Sequence, residues 1–266
     1  MRHRTLSALL LGAALALGGG CATVPDTGRS QLILIDPKTE MRMGLTAFEE
    51  IKESTPISQD REARALVERV GRRIAAVAPL PGARWEFVLF DEPDTLNAFC
   101  LPGGKVGVYT GLLQITRDET GLATVIGHEV AHAVARHGAE RISEGMLFEL
   151  GAAALSVATR KEDSKTRQQI LAAYGIGGTL GLMLPHSRRQ ELEADRLGLL
   201  YMARAGYDPR AAIDFWKRFR AWNEKEGGET PPEFLSTHPL DETRIHALQE
   251  FLPRALEEYR KVTAAR

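Results

Sequence analysis

Residues 128–132 read His-Glu-Val-Ala-His. In a helix, positions four apart lie one above the other, so His128 and His132 can offer both imidazoles to one ion. Glu129 projects to a neighbouring part of the surface, where its carboxylate can hold and deprotonate a water without being a ligand. Zinc lowers the pKa of a bound water from 15.7 to about 7, which is why hydrolysis at neutral pH wants these residue types at this spacing. The alternative is a surface helix with incidental histidines. It fits badly, because Val125, Ile126, Val130, Ala131, Ala133 and Val134 surround the motif, and a buried histidine pair beside a glutamate needs a partner.

Catalytic zinc takes three protein ligands and leaves a fourth position to water or substrate. The third ligand has to come from another element, and the acids of residues 187–198 (SRRQELEADRLG) are the candidates. Glu191 and Asp195 are four apart and share a helix face, with Glu193 roughly opposite. One arrangement makes Glu191 the ligand and Asp195 the acceptor for a ligand histidine's other N–H. A solvated acidic face explains the same residues equally well. His137, five beyond His132, lies on a different face from either ligand and reads as structural.

The elements that must position these residues are mostly helical. Between Gln59 and Ala78, apolar residues recur at spacings of three and four (Ala63, Leu66, Val67, Val70, Ile74, Val77), which predicts an amphipathic helix. Residues 41–53 are also helix-like. RWEFVLF (84–90) reads as a strand, and 97–113 has two apolar runs around Pro102-Gly103-Gly104, a hairpin or bent edge strand. No other region is convincingly β, so the sheet is small. Thr116 and Glu119 have capping-box spacing and are expected to open the helix that carries the histidines to at least Arg136. Further helical stretches cover 139–158, about 208–223 and about 240–262. Ser187 and Gln190 repeat the capping-box spacing before a helix running to about Ala205 and stopped by Gly206. Residues 161–169 read as a polar loop or helix end, 170–185 as a buried, glycine-rich helix with shallow membrane contact as the minor alternative, and 227–234 as a loop. The fold class is therefore α+β and predominantly helical.

The 266 residues are 44% hydrophobic and 26% charged, with a formal net charge of −1 and a pI of about 6.7. No long basic run would track phosphates, so no nucleic-acid partner is expected. Residues 1–20 combine a basic MRHR with an uncharged LSALLLGAALALGGG ahead of Cys21. The apolar run is shorter than the roughly 20 residues of a membrane span. It reads as a lipoprotein signal, with Cys21 lipidated as the mature N-terminus, although Gly18 stands where the usual signal has Leu. An ordinary cleaved secretory signal is the alternative. Residues 21–40 then form a tether with one extended piece, QLILI, and 41–266 the functional domain. With Cys21 carrying lipid, Cys100 has no partner for an intrachain disulfide and reads as a small buried hydrophobe.

NAFCLPGG, HEVAH, ELEAD and STHPLDETRI, in that order over residues 40–250, resemble the M-48 type zinc metallopeptidase family that includes HtpX, the CAAX prenyl endopeptidases, BepA and LoiP. The resemblance implies a gluzincin-like core with a small sheet or hairpin packed on the histidine-bearing helix. It implies one zinc ion per chain held by His128, His132 and Glu191, and places Asp195 behind the ligands. It implies endopeptidase activity, with Glu129 as general base and then as proton donor to the leaving amine. By its neighbours alone, His238 in STHP is a capping or packing residue. In BepA-like relatives the matching histidine can approach the zinc, so His238 is expected to gate access, or to stabilise the oxyanion when swung aside. Gly103, Gly104, Lys105, Val106, Gly107 and Val108 are expected to supply an edge strand on which an extended substrate pairs. A hairpin that only covers the core is the alternative there. Together these features predict a periplasm-facing enzyme of the cell envelope, anchored through Cys21 to the outer membrane. It would cleave misfolded or misassembled exported proteins, with outer-membrane assembly machinery as a possible partner. A chaperone or assembly factor with a closed zinc site is the competing expectation, and a zinc hydrolase of small substrates the weakest.

Overall fold

The computed structural model describes residues 20–179, 183–226, 233–239 and 241–264. The expected leader, apart from Gly20, and most of the expected 227–234 loop lie outside them. The described chain groups into two compact units, one formed by the chain through Pro37 with Arg136–Pro185, the other by Lys38–Ala135 with His186–Arg266.

The second unit carries the residues of interest. Helix α1 (Pro37–Ser54) is followed by α2 (Arg61–Ala75), capped by Asp60, whose carboxylate accepts from the Glu62 and Ala63 amides. The predicted stripe of α2 is the buried one, through Val67, Val70 and Ile74. Strands β3 (Glu86–Phe90), β4 (Ala98–Leu101) and β5 (Lys105–Tyr109) form a sheet in the order β3-β5-β4, with β5 parallel to β3 and antiparallel to β4. Phe48, Val88 and Phe90 make a core against it.

This order corrects the expected substrate edge. Lys105, Val106, Gly107 and Val108 lie in the central strand, bonded on both sides. Gly103 and Gly104 form the turn before it at φ 89° and 80°, a region that glycine enters without steric cost. Among the described residues, the edge strand on this side of the sheet is β4.

Helix α3 (Thr110–Thr116) ends at Arg117, whose φ of 65° breaks the helical path. Asp118 then occupies the extended N-cap of α4 (Glu119–Val134) and accepts from the Gly121 amide at 2.7 Å. The Thr116/Glu119 capping box therefore does not form, because Thr116 still belongs to α3. The Ser187/Gln190 box fails for a similar reason: α7 (Leu184–Arg204) is already under way at Leu184. Helices α8 (Arg210–Glu226), α9 (Glu233–Thr237) and α10 (Glu242–Ala264) complete this unit.

In the first unit, β1 (Cys21–Thr23) and β2 (Ser30–Leu32) pair as an antiparallel ribbon where a tether was expected. Arg29 bonds Glu140 of α5 (His137–Ala158) through both carboxylate oxygens, at 2.6 and 2.9 Å. Helix α6 (Ser164–Gly178) starts inside the expected polar loop, capped by Asp163. It has no buried residue, which corrects the expectation of a buried helix over 170–185 as far as Gly178; residues 180–182 of that stretch lie outside the described ones. Gly151 and Gly178 admit the Tyr174 and Phe148 rings, but Gly175 and Gly177 face open space, so α6 packs along one line only.

Candidate metal centre

Helix α4 is apolar almost all round, and every residue from Gly121 to Val134 is buried, as befits a helix packed on several sides. It lies against α2, α3, α8 and β4. This burial carries His128, Glu129 and His132 inside with it. Helix α7 brings Glu191 and Asp195, also buried, and crosses α4 where two glycines meet. A Cβ on Gly198 would stand 3.0 Å from the His128 amide nitrogen, and one on Gly127 would stand 3.1 Å from the Gly198 carbonyl oxygen. The close backbone approach lets short carboxylate side chains on one helix reach imidazoles on the other.

His238 follows the five-residue α9, and its amide donates to the Phe234 carbonyl at 2.8 Å. Phe234 is fully buried and stacks on Trp216 and Phe219, so an aromatic anchor sets where the histidine hangs.

The four side chains converge on one point. His128 Nε2 lies 3.1 Å from His132 Nε2 and 3.3 Å from His238 Nδ1. Glu191 reaches His128 and His132 at 3.3 Å and His238 at 3.1 Å. Three imidazole nitrogens this close cannot all satisfy one another, since a neutral ring has one donor and one acceptor. Zinc takes nitrogen and oxygen donors at about 2.0–2.2 Å, and donor atoms of these four side chains all lie within 4.8 Å of one another, close enough to share one ion. The donor set of three imidazoles and one carboxylate fits zinc, and these are the residues that could hold it.

The electrostatics suit a cation. Burial disfavours charge on Glu191, but His132, His128 and His238 overcome it and hold the carboxyl well below its usual range. Burial likewise opposes a charged His128, yet Asp195 and Glu191 raise its pKa to about 9. The field that holds a proton there is the field a divalent ion needs. His132, dominated by burial, lies well below the usual histidine range, which favours the neutral ring that a metal ligand requires. Asp195 is buried, which opposes its ionisation, but Arg244 keeps it ionised. Its Oδ1 lies 3.1 Å from His128 Nδ1.

Glu129 stands beside the donor group, its Oε1 3.4 Å from His238 Nε2. The structure therefore brings together His128, Glu129, His132, Glu191, Asp195 and His238. His137 is fully buried and outside this group. Cys100 in β4 keeps some exposed surface, but burial of its thiol and the nearby Glu129 push its pKa up, against any nucleophilic role.

Sequence reasoning missed three contributors. Arg244 is buried and paired with Asp195; its signal was its place in STHPLDETRI, six residues past His238. Trp216 packs edge-on to the His128 ring at 5.6 Å, and Gly198 sets the helix crossing; neither has a local signature. At the sheet, the Tyr109 amide bonds the Asn97 carbonyl. By strand alternation Phe99 and Leu101 face β5, and the main-chain groups of Ala98 and Cys100 turn outward. The Ala98 amide is occupied by the Asn97 side chain.

The description Peptidase family M48 matches residues 61–252. The mitochondrial metalloendopeptidase OMA1 of Schizosaccharomyces pombe is 35% identical over 255 residues, covering 91% of this chain and 71% of that protein. OMA1 of Saccharomyces cerevisiae is 31% identical, with 91% and 74% covered. The beta-barrel assembly-enhancing protease of Escherichia coli is 28% identical over 248 residues, 90% of this chain and 49% of that protein.

Proposed function

The chain belongs to peptidase family M48, and from that premise we propose that it is an envelope endopeptidase cleaving misfolded or misassembled exported proteins. The observation that carries the reading is the buried His128, His132 and Glu191 cluster with the Glu129 carboxylate beside it. Zinc, when bound by these three residues, supplies the Lewis acidity that makes a water nucleophilic at neutral pH. Glu129 accepts the proton of the attacking water and returns it to the leaving amine. Asp195 orients His128 through its Nδ1 side, which turns Nε2 toward the other donors that would hold the ion.

Substrate lies along the outer edge of β4, where the Cys100 N–H and C=O and the Ala98 C=O are turned outward. Strand pairing of this kind is indifferent to most side chains, so it selects extended, unfolded segments over a defined sequence. Cys21 is exposed and is the proposed point of lipid attachment, to the outer membrane. No helix among the described residues is long and apolar enough to cross a membrane. One relative is named for mitochondria and another for beta-barrel assembly. The envelope reading rests on the second of these and on the leader.

His238 is proposed as the closing group. Its Nδ1 lies among the other donors and its Nε2 faces Glu129, so the ring stands between the donor group and the base, where a reacting water would have to be held. Four filled corners also favour a second reading, an assembly factor with a closed structural zinc. Glu129 separates the two. Metal analysis and casein cleavage, with and without chelator, are measured on wild type and Glu129→Gln. The enzyme reading expects bound zinc in both and a 10²- to 10⁴-fold loss of cleavage in the variant. Undiminished cleavage by Glu129→Gln would overturn the mechanism, and zinc without turnover in wild type would favour the assembly factor.

A further inference from the structure

Arg244 lies in α10, 3% exposed, and a buried guanidinium persists only where its donors are met. Its Nε and Nη2 bond both oxygens of Asp195, at 2.8 and 2.7 Å. Its Nη1 donates to the main-chain carbonyls of His238 and Pro239, at 3.2 and 3.0 Å, and stands 3.2 Å from Glu191 Oε2. The Trp216 ring packs against its face at 4.6 Å. One planar group thus faces the acid behind His128 in one direction and the backbone of the closing histidine in the other.

We propose that Arg244 is a positioning residue that ties the seating of His238 at the metal corner to the Asp195–His128 arm. The bidentate pair and the Trp216 ring fix the guanidinium plane, so Nη1 is presented at one place, and the His238–Pro239 peptides dock onto it. Swinging His238 away breaks the two carbonyl bonds but leaves the Asp195 pair intact. Arg244 therefore favours the closed arrangement without touching a reacting atom. The geometry needs a fork: lysine keeps the positive charge near Asp195 and Glu191 but offers a single flexible point donor. Charge compensation alone would accept that exchange, and positioning would not.

This inference rests on the reading of His238 as the closing group, and the experiment separates the two. Cobalt(II) is substituted into full-length wild type, His238→Ala, Arg244→Lys, Arg244→Gln and the His238→Ala/Arg244→Lys double variant. Visible absorption reports the coordination, chelator competition the affinity, and circular dichroism the fold. Arg244→Lys is expected to move the cobalt spectrum to that of His238→Ala, with no further change in the double variant. Casein cleavage by the zinc form should rise roughly five- to tenfold, the gain expected if the closed form outnumbers the open one by about that factor. A wild-type spectrum in folded Arg244→Lys and Arg244→Gln, with a changed spectrum in His238→Ala, overturns the role of Arg244 alone. If both Arg244 variants lose cobalt or fold while His238→Ala keeps them, Arg244 is a structural residue and the proposal also falls. An unchanged spectrum in His238→Ala itself removes the closing role of His238, and this inference with it.

Discussion

Three of the four donors ride on two long helices whose backbones touch, and the fourth hangs from a helix of five residues. The His128 and Glu191 side chains keep 2% and 4% of their surface exposed, and His238 keeps 12%. The helix-borne donors are held by α4, buried from Gly121 to Val134, and by the Gly127–Gly198 crossing. His238 is held by one aromatic anchor and by bonds to its backbone. The contrast separates two tasks that one metal site performs: holding the ion, which needs rigidity, and admitting a substrate, which needs a donor that can leave.

Substitutions on the two sides should therefore fail differently. Asp195→Asn, on the helix side, is expected to lower zinc affinity by about 10- to 100-fold, read by chelator competition, with cleavage falling in parallel. Full affinity in that variant would mean that His128 is oriented by packing alone. Gly198→Ala should cost about 1–3 kcal/mol of stability, because its methyl meets the His128 main chain, and weaken zinc binding as Glu191 is displaced. Denaturant titration of the zinc-loaded protein checks this, and a neutral result would show that the helix crossing has slack. His238→Ala, on the loop side, should keep its zinc and cleave casein roughly five- to tenfold faster. Loss of zinc there would erase the distinction between the two sides.

The smallest effect is expected away from the ion, where Glu119 at the start of α4 joins Arg69, Arg73 and Tyr207. The Arg69 bond lowers the Glu119 pKa, burial opposes it, and Tyr207 adds to the lowering. A lowered folded pKa stabilises above the unfolded value of about 4.3, and that stability is lost as pH falls through the folded value. Glu119→Gln should thus cost no more than about 1 kcal/mol at pH 7, and the difference should shrink as the pH falls below the unfolded value of about 4.3, as urea midpoints across a pH series would show. A larger cost would make this ion pair, rather than packing, the support of the helix side.

The legibility of the sequence follows the same division. Residues on α4 and α7 were readable because a helix converts a spacing of four into a shared face, for His128 with His132 and for Glu191 with Asp195 alike. The α2 stripe and β3 were readable by period and composition. Strand order was not: nothing local to Gly103–Val108 says that β3 returns to pair on its other side, so a central strand was mistaken for an edge. Thr116 and Ser187 matched a capping pattern, but helix ends depend on where the preceding element stops. Glycine-rich apolar residues in α6 looked buried because composition does not say which glycines meet a partner. Arg244 was hidden for a related reason, since a charged residue on a C-terminal helix reads as solvated until the fold supplies Asp195.

His128 and His238 stand 110 positions apart, and Glu191 and His238 47 apart. An ion bound by all of them is a cross-link that closes long loops, and closing long loops is where a cross-link removes the most freedom from the unfolded chain. Cys21 and Cys100 are both free, so this stapling falls to the metal. Unlike a disulfide, such a staple can be withdrawn by a chelator and replaced from solution. Its C-terminal arm can also let go while the other donors hold, so the fastening of the chain beyond Glu191 and the access of a substrate become one equilibrium.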